Sequence, residues 1–88
     1  MELDKRVVSL QKSTSQEKED FIKEFTPFIL STASQRAGIY IEVENDEVYS
    51  VALQSFYKAL LSFQENKGHF LPYAKLLIDR DLLNHLKK

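Results

Sequence analysis

Residues 46–63 decide the fold class: Asp46-Glu47-Val48-Tyr49-Ser50-Val51-Ala52-Leu53-Gln54-Ser55-Phe56-Tyr57-Lys58-Ala59-Leu60-Leu61-Ser62-Phe63. Val48, Ala52, Phe56, Ala59, Leu60 and Phe63 recur at mostly three- and four-residue steps, the period of one helix face. Glu47, Ser50, Gln54 and Lys58 fall on the opposite side, with Tyr49, Leu53 and Tyr57 between. Asn45 or Asp46 supplies an N-cap. The stretch therefore predicts a long amphipathic helix over about 46–64, with Phe56 and Phe63 pointing inward.

The chain on either side extends the helical pattern. Upstream, Leu3, Val7 and Leu10 mark a short helix over 2–12. The break Lys12-Ser13-Thr14-Ser15 is followed by a second start, where Thr14 with Glu17 three residues on fits a capping box better than Ser15 with Lys18. Phe21, Ile22, Phe25, Phe28, Ile29, Ala33 and Ala37 then form one stripe. Pro27 inside it predicts a kink near Glu24 in a single element. Gly38 ends this helix. Ile39-Tyr40-Ile41-Glu42-Val43-Glu44 alternates with period two and reads as an extended connection, or as a strand pairing across a dimer. Downstream, Asn66-Lys67-Gly68 is a tight turn, and Pro72 fits the first position of a last helix. Tyr73, Leu76, Leu77, Leu83 and Leu86, broadened by Ile78 and Leu82, carry that helix to the terminus. The fold class is all-α, a compact bundle of four helices, one short and three longer. The core is expected at Phe21, Phe25, Ile29, Ala52, Phe56, Ala59, Leu60, Phe63, Ala74 and Ile78.

Composition bounds the chemistry. Eighty-eight residues hold one domain. Two Gly and two Pro are too few for an all-β chain. The absence of Cys excludes disulfides and thiolate metal sites, and fits a reducing compartment. No apolar run approaches the ~20 residues of a membrane span. His69 and His85 lie at no metal-motif spacing and read as ordinary helix-end or surface side chains. Glu42, Glu44, Asp46 and Glu47 read as a solvated acidic face, because they lack a calcium-loop pattern. No Gly-rich phosphate loop or activated nucleophile is present, so no catalytic residue, cofactor or metal is expected. Residues 1–66 hold seven Lys or Arg against eleven Asp or Glu, whereas residues 67–88 hold five against two. That basic end suits a polyanion; equally, Lys87 and Lys88 complement a helix C-terminus.

Asp46–Leu53 followed by Phe56-Tyr57-Lys58-Ala59-Leu60 and Phe63 resembles the long helix of region two in bacterial RNA polymerase sigma factors of the sigma-70 family. Asn66-Lys67-Gly68, Phe70-Leu71-Pro72-Tyr73-Ala74 and Leu77-Ile78-Asp79-Arg80-Asp81-Leu82-Leu83 resemble that family's turn and next helix. Phe21-Ile22-Lys23-Glu24-Phe25-Thr26-Pro27-Phe28-Ile29 is similar to the preceding helix of the sigma-I type, internal proline included. The resemblance spans about residues 2–88. It implies a non-enzymatic, cytoplasmic transcription initiation domain that forms the N-terminal part of a longer protein.

The resemblance further implies two surfaces. Glu47, Ser50, Leu53, Gln54 and Tyr57 would dock on the clamp helices of the largest subunit of the RNA polymerase core. Tyr73, Lys75, Arg80, Asn84, Lys87 and Lys88 would bind and help open promoter DNA at the minus-ten element, with Lys67 contacting phosphate. Phe70 reads as core, while Tyr73 is open between core and strand-facing roles. Leu76 and Leu77 stand where many primary sigma factors carry tryptophans, which predicts weak melting by this domain alone. An anti-sigma factor is a further implied partner. Asp79 and Asp81 stand where the family has basic or neutral residues, and on the sequence alone they oppose phosphate approach. They motivate the alternative: a helical partner-binding module without DNA function, either a degenerate sigma-like regulator or an anti-sigma target.

Overall fold

The computed structural model describes residues 2–37 and 47–86. Among these residues the chain is all-α, with α1 Glu2–Leu10, α2 Ser15–Glu24, α3 Thr26–Ala37, α4 Glu47–Ser62 and α5 Phe70–Leu86. One turn of 3-10 helix, Glu65–Lys67, joins α4 to α5. The extended connection expected at 39–44, the Gly38 stop and the Asn45 or Asp46 cap lie outside the described residues. So do Glu42 and Glu44 of the acidic group, and Lys87 and Lys88.

Among the described residues five helices stand where four were expected, because Pro27 divides the second predicted element. Proline has no N–H and its ring crowds the carbonyl four residues back, so the helical ladder cannot pass through it. The Phe25 N–H is shared between the carbonyls of Phe21 at 3.2 Å and Ile22 at 3.1 Å. The Thr26 hydroxyl donates to the Ile22 carbonyl at 3.3 Å, and α3 restarts with Ile29 N–H on Phe25 O at 3.0 Å. At the start of α2, Thr14 Oγ1 accepts the Glu17 N–H at 3.2 Å, the cap its sequence position indicates.

α4 and α5 form an antiparallel hairpin, and α3 packs across both. Four phenylalanines knit the core. Phe56 and Phe70 meet edge-on with centroids 5.5 Å apart, Phe63 and Phe70 do the same at 5.5 Å, and Phe21 stacks on Phe56 at 6.1 Å. Edge-on and offset pairs of this kind suit the ring quadrupole. Ile29, Leu60, Ile78 and Leu82 fill the remaining volume, all fully buried. Every expected core residue is buried except Phe25, which is half-buried. Val7, Ala33, Tyr49, Phe70, Leu77 and Leu82 join them.

Two expectations for the last helix are corrected. It begins at Phe70, so Pro72 is its third residue, still within the first turn, where a missing N–H breaks no ladder bond. Its buried stripe is Phe70, Ala74, Leu77, Ile78 and Leu82, whereas Leu76 and Leu83 are 63% and 43% exposed. Apolar residues run together at 76–78 and 82–83, so their spacing leaves the phase of the helix open. The ring of Phe70, held between Phe56 and Phe63, sets it.

The start of α5 is capped from the far end of the chain. Asp4 is 2% exposed on α1, and its Oδ1 accepts the Phe70 N–H at 2.9 Å. Its Oδ2 lies 2.7 Å from His69 Nδ1; an ionised carboxylate only accepts, so Nδ1 donates. The bond from His69, then that from Phe70, hold the Asp4 carboxyl below its ordinary 3.8. Burial works against ionisation at Asp81, but hydrogen bonds from Ser55 and Lys58 outweigh it and also keep that carboxyl low. Both groups titrate lower folded than unfolded. Their stabilisation is complete above the unfolded value and is lost as pH falls through the folded values. Melting temperature should stay flat from neutral pH to about pH 5 and drop below about pH 4. Asp4→Ala should lower the neutral-pH melting temperature on the order of 5–10 °C, with the gap from wild type closing in acid. Thermal scans by circular dichroism from pH 7 to pH 3 check both; a gap that persists unchanged at pH 3 would count against the capping carboxylate.

Candidate functional surfaces

α4 presents one solvent-facing stripe. Glu47, Ser50, Gln54 and Lys58 are exposed, Tyr57 is 40% exposed and Leu61 47%. These positions fall within one face because three- and four-residue steps return to the same side of a helix. Leu53, also a sequence candidate, is half-buried at the edge of this stripe.

A groove lies on each side of the ridge that Gln54 and Tyr57 form. Between α4 and the α2–α3 arm, a cleft of about 570 Å³ is lined by Ile22, Lys23, Thr26, Tyr49, Leu53 and Tyr57. Between α4 and α5, a cleft of about 590 Å³ is lined by Val51, Lys58, Leu61, Asp81, Asn84 and His85. The ridge thus joins a half-exposed tyrosine, a neutral amide and apolar flanks. Such a mixed surface suits protein docking, where an aromatic anchor with a polar rim carries most of the affinity.

The α5 candidates divide. Tyr73, Arg80 and Asn84 are spaced by seven and four residues and share one side of the helix. Arg80 and Asn84 are exposed. The Tyr73 hydroxyl lies 2.7 Å from Ser62 Oγ, and its ring sits 6.0 Å from that of Phe63. Half-buried, it lines a recess of about 280 Å³ with Ser62, Phe63, Gln64 and Lys67 at the α4–α5 turn. Lys75, two residues beyond Tyr73, projects from a different side of α5 and is exposed. Phe70 is wholly core.

Asp79 and Asp81 are tied into the fold, which sequence reasoning missed. Asp81 Oδ2 accepts from Ser55 Oγ at 2.6 Å and pairs with Lys58 Nζ at 3.0 Å, joining α5 to α4. Ser55 itself is buried. Asp79 Oδ1 lies 3.6 Å from Arg36 Nε on α3. Each carboxylate therefore has a cation from another helix beside it, and Asp81 Oδ1 also lies 3.7 Å from Arg80 Nε on its own helix. Asp4 also escaped the sequence reading. The only local signal was a carboxylate three residues before Val7, on the side that packs.

Among the described residues, no three His, Asp or Glu side chains gather as a metal-binding group, and no helix is long and apolar enough to cross a membrane.

No family model matches the chain. Over 71 residues, 80% of its length, it is 38% identical to the RNA polymerase sigma factor SigI2 of Acetivibrio thermocellus. Over 87 residues, 98% of its length, it is 32% identical to the RNA polymerase sigma factor SigI of Bacillus subtilis. The SigI factor of Bacillus anthracis is 36% identical over 77 residues, 86% of the chain. The chain spans 27%, 34% and 32% of these three relatives, respectively, so about a third of their length.

Proposed function

We propose, from the premise that this chain is related over most of its length to SigI-type RNA polymerase sigma factors, that it is a region-two-like initiation domain. Its role is binding, without catalysis, in the compartment where the polymerase works. The Glu47, Ser50, Leu53, Gln54 and Tyr57 face of α4 docks on the clamp helices of the polymerase's largest subunit. Tyr73, Arg80 and Asn84 on α5, with Lys67 at the turn, meet the unpaired strand of the minus-ten element. The similarity to sigma factors over most of the chain carries this reading. The exposed ridge on α4 supports it.

The alternative, a partner-binding module without DNA function, rested on Asp79 and Asp81. Their partners on α3 and α4 give both residues a role in the fold as well, which weakens that motivation. For the same reason, reversing their charge is a poor test. Asp81→Arg would set a cation against Lys58, and Asp79→Lys would set one against Arg36.

The test is a calorimetric titration of the chain with the isolated clamp coiled coil, and an anisotropy titration with a single-stranded minus-ten oligonucleotide at two salt concentrations. Binding to both is expected, with strand affinity weak, near the micromolar to millimolar range of non-specific contacts. Arg80→Ala should reduce the log–log salt slope by roughly 0.7, the value for one phosphate contact on a single strand. Tyr73→Ala should remove a stacking increment of about 1–3 kcal/mol and leave the slope nearly unchanged. Failure to bind the coiled coil would sink the docking role; an unchanged slope in Arg80→Ala would remove this α5 face from the DNA.

A further inference from the structure

We infer that α1 and the residue that follows it brace the α4–α5 turn through Asp4 and Gln11, making these two side chains positioning residues for Tyr73. The inference rests on the strand-binding reading above. It arises from two sets of hydrogen bonds that converge on one short segment from residues distant in sequence.

On the α5 side, Asp4 holds the His69 ring and the Phe70 N–H, at 2.7 and 2.9 Å. The next ladder bond, Tyr73 N–H to His69 O at 3.3 Å, starts from the residue that Asp4 fixes. On the α4 side, Gln11 Nε2 donates to Leu60 O at 2.9 Å and Phe63 O at 2.8 Å. These carbonyls belong to the end of α4, where the helix has run out of N–H partners. Ser62 and Phe63, the two side chains that contact Tyr73 across the turn, lie in this same segment. α1, with the residue just past its end, therefore satisfies acceptors at the close of α4 and a donor at the opening of α5.

The consequence is geometric. The recess of about 280 Å³ at the turn has Tyr73 and Phe63 as walls and Lys67 at its rim. One wall follows directly on the end of α4 and the other stands on α5, and their separation depends on the turn between them. Gly68 gives that turn its positive φ of 124° and adds no side-chain contact to stiffen it. The Phe63–Phe70 ring contact supplies part of the restraint, and Asp4 and Gln11 add to it from α1 and its end. Loss of either brace lets the walls separate and misaligns Tyr73, while the α4 ridge around Gln54 and Tyr57 keeps its shape.

The experiment uses the full 88-residue chain, a fluorescein-labelled A/T-rich single strand and core RNA polymerase. Asp4→Ala and Gln11→Met should each weaken strand binding by roughly threefold to tenfold, the range of one or two lost hydrogen bonds. Polymerase affinity should stay within about twofold, since packed sites far apart act independently. Asp4→Asn keeps an acceptor for the Phe70 N–H and should restore most of the strand affinity. In a Tyr73→Ala background, Asp4→Ala should have no further effect, because its influence runs through that ring. If Asp4→Ala does not fold, Gln11→Met and Asp4→Asn carry the same comparison. Wild-type strand affinity in the brace variants overturns the inference alone. Equal loss toward strand and polymerase also overturns it, as general destabilisation. No strand binding by the wild type removes the DNA reading and this inference together.

Discussion

Phe56→Ala is expected to remove about a third or more of the domain's stability. Phe56 is fully buried and touches the rings of Phe21, Phe25, Phe28 and Phe70, with centroids 5.5–6.1 Å away. Truncating a buried phenylalanine costs about 3–5 kcal/mol, because the cavity it leaves closes only in part. A domain of this size has about 4–13 kcal/mol in all. The variant should therefore show a urea midpoint far below that of wild type, and no cooperative transition where the wild type has only about 4–5 kcal/mol to lose. Leu76→Ala is the matched control. At 63% exposure it should stay within about 0.5 kcal/mol of wild type. Urea titration followed by circular dichroism reads both. Equal costs at the two positions would mean that α4 or α5 has been placed in the wrong phase.

The second large effect belongs to the α4 ridge. The double variant Gln54→Ala, Tyr57→Ala should weaken binding to the clamp coiled coil by roughly thirtyfold, or about 2 kcal/mol. Tyr57 carries most of this. A half-exposed ring flanked by two grooves is placed to anchor a partner, whereas an exposed amide contributes at the rim. Neither side chain is in the core, so the melting temperature should be nearly unchanged. Glu65→Ala, at the turn beyond the end of α4, should bind as wild type. Wild-type affinity in the double variant would remove this face from the interface.

Much of the fold was legible in the sequence because helices repeat locally. The 46–63 stripe placed Ala52, Phe56, Ala59, Leu60 and Phe63 inward, and all five are buried. Thr14 was identifiable as a cap because its partner, Glu17, is three residues away. The effect of Pro27 was located correctly, but its size was not. A missing donor is visible in the sequence, whereas the degree of separation it causes depends on what each half packs against. The candidate site was legible in the same uneven way. The exposed face of α4 follows from the period of its buried face. The standing of Tyr73 did not, since an aromatic at the edge of a stripe is half-buried or free according to its neighbours, here Ser62 and Phe63.

By itself, then, the sequence determined the all-α class, the two surfaces of α4 and the turn at Lys67-Gly68. Each of these rests on spacings of a few residues. Tertiary structure alone decided the phase of α5, because Leu76, Leu77 and Ile78 are equally apolar and only the seating of Phe70 selects among them. It also decided what four charged residues are for: Asp4 as a cap for a helix that starts 66 residues later, Asp81 as a partner of Ser55 26 residues earlier, and Asp79 with Arg36 as an ion pair between helices. A carboxylate looks the same in sequence whether it faces water, a cation or a helix end. Its role is set by which donors the folded chain brings within hydrogen-bonding distance.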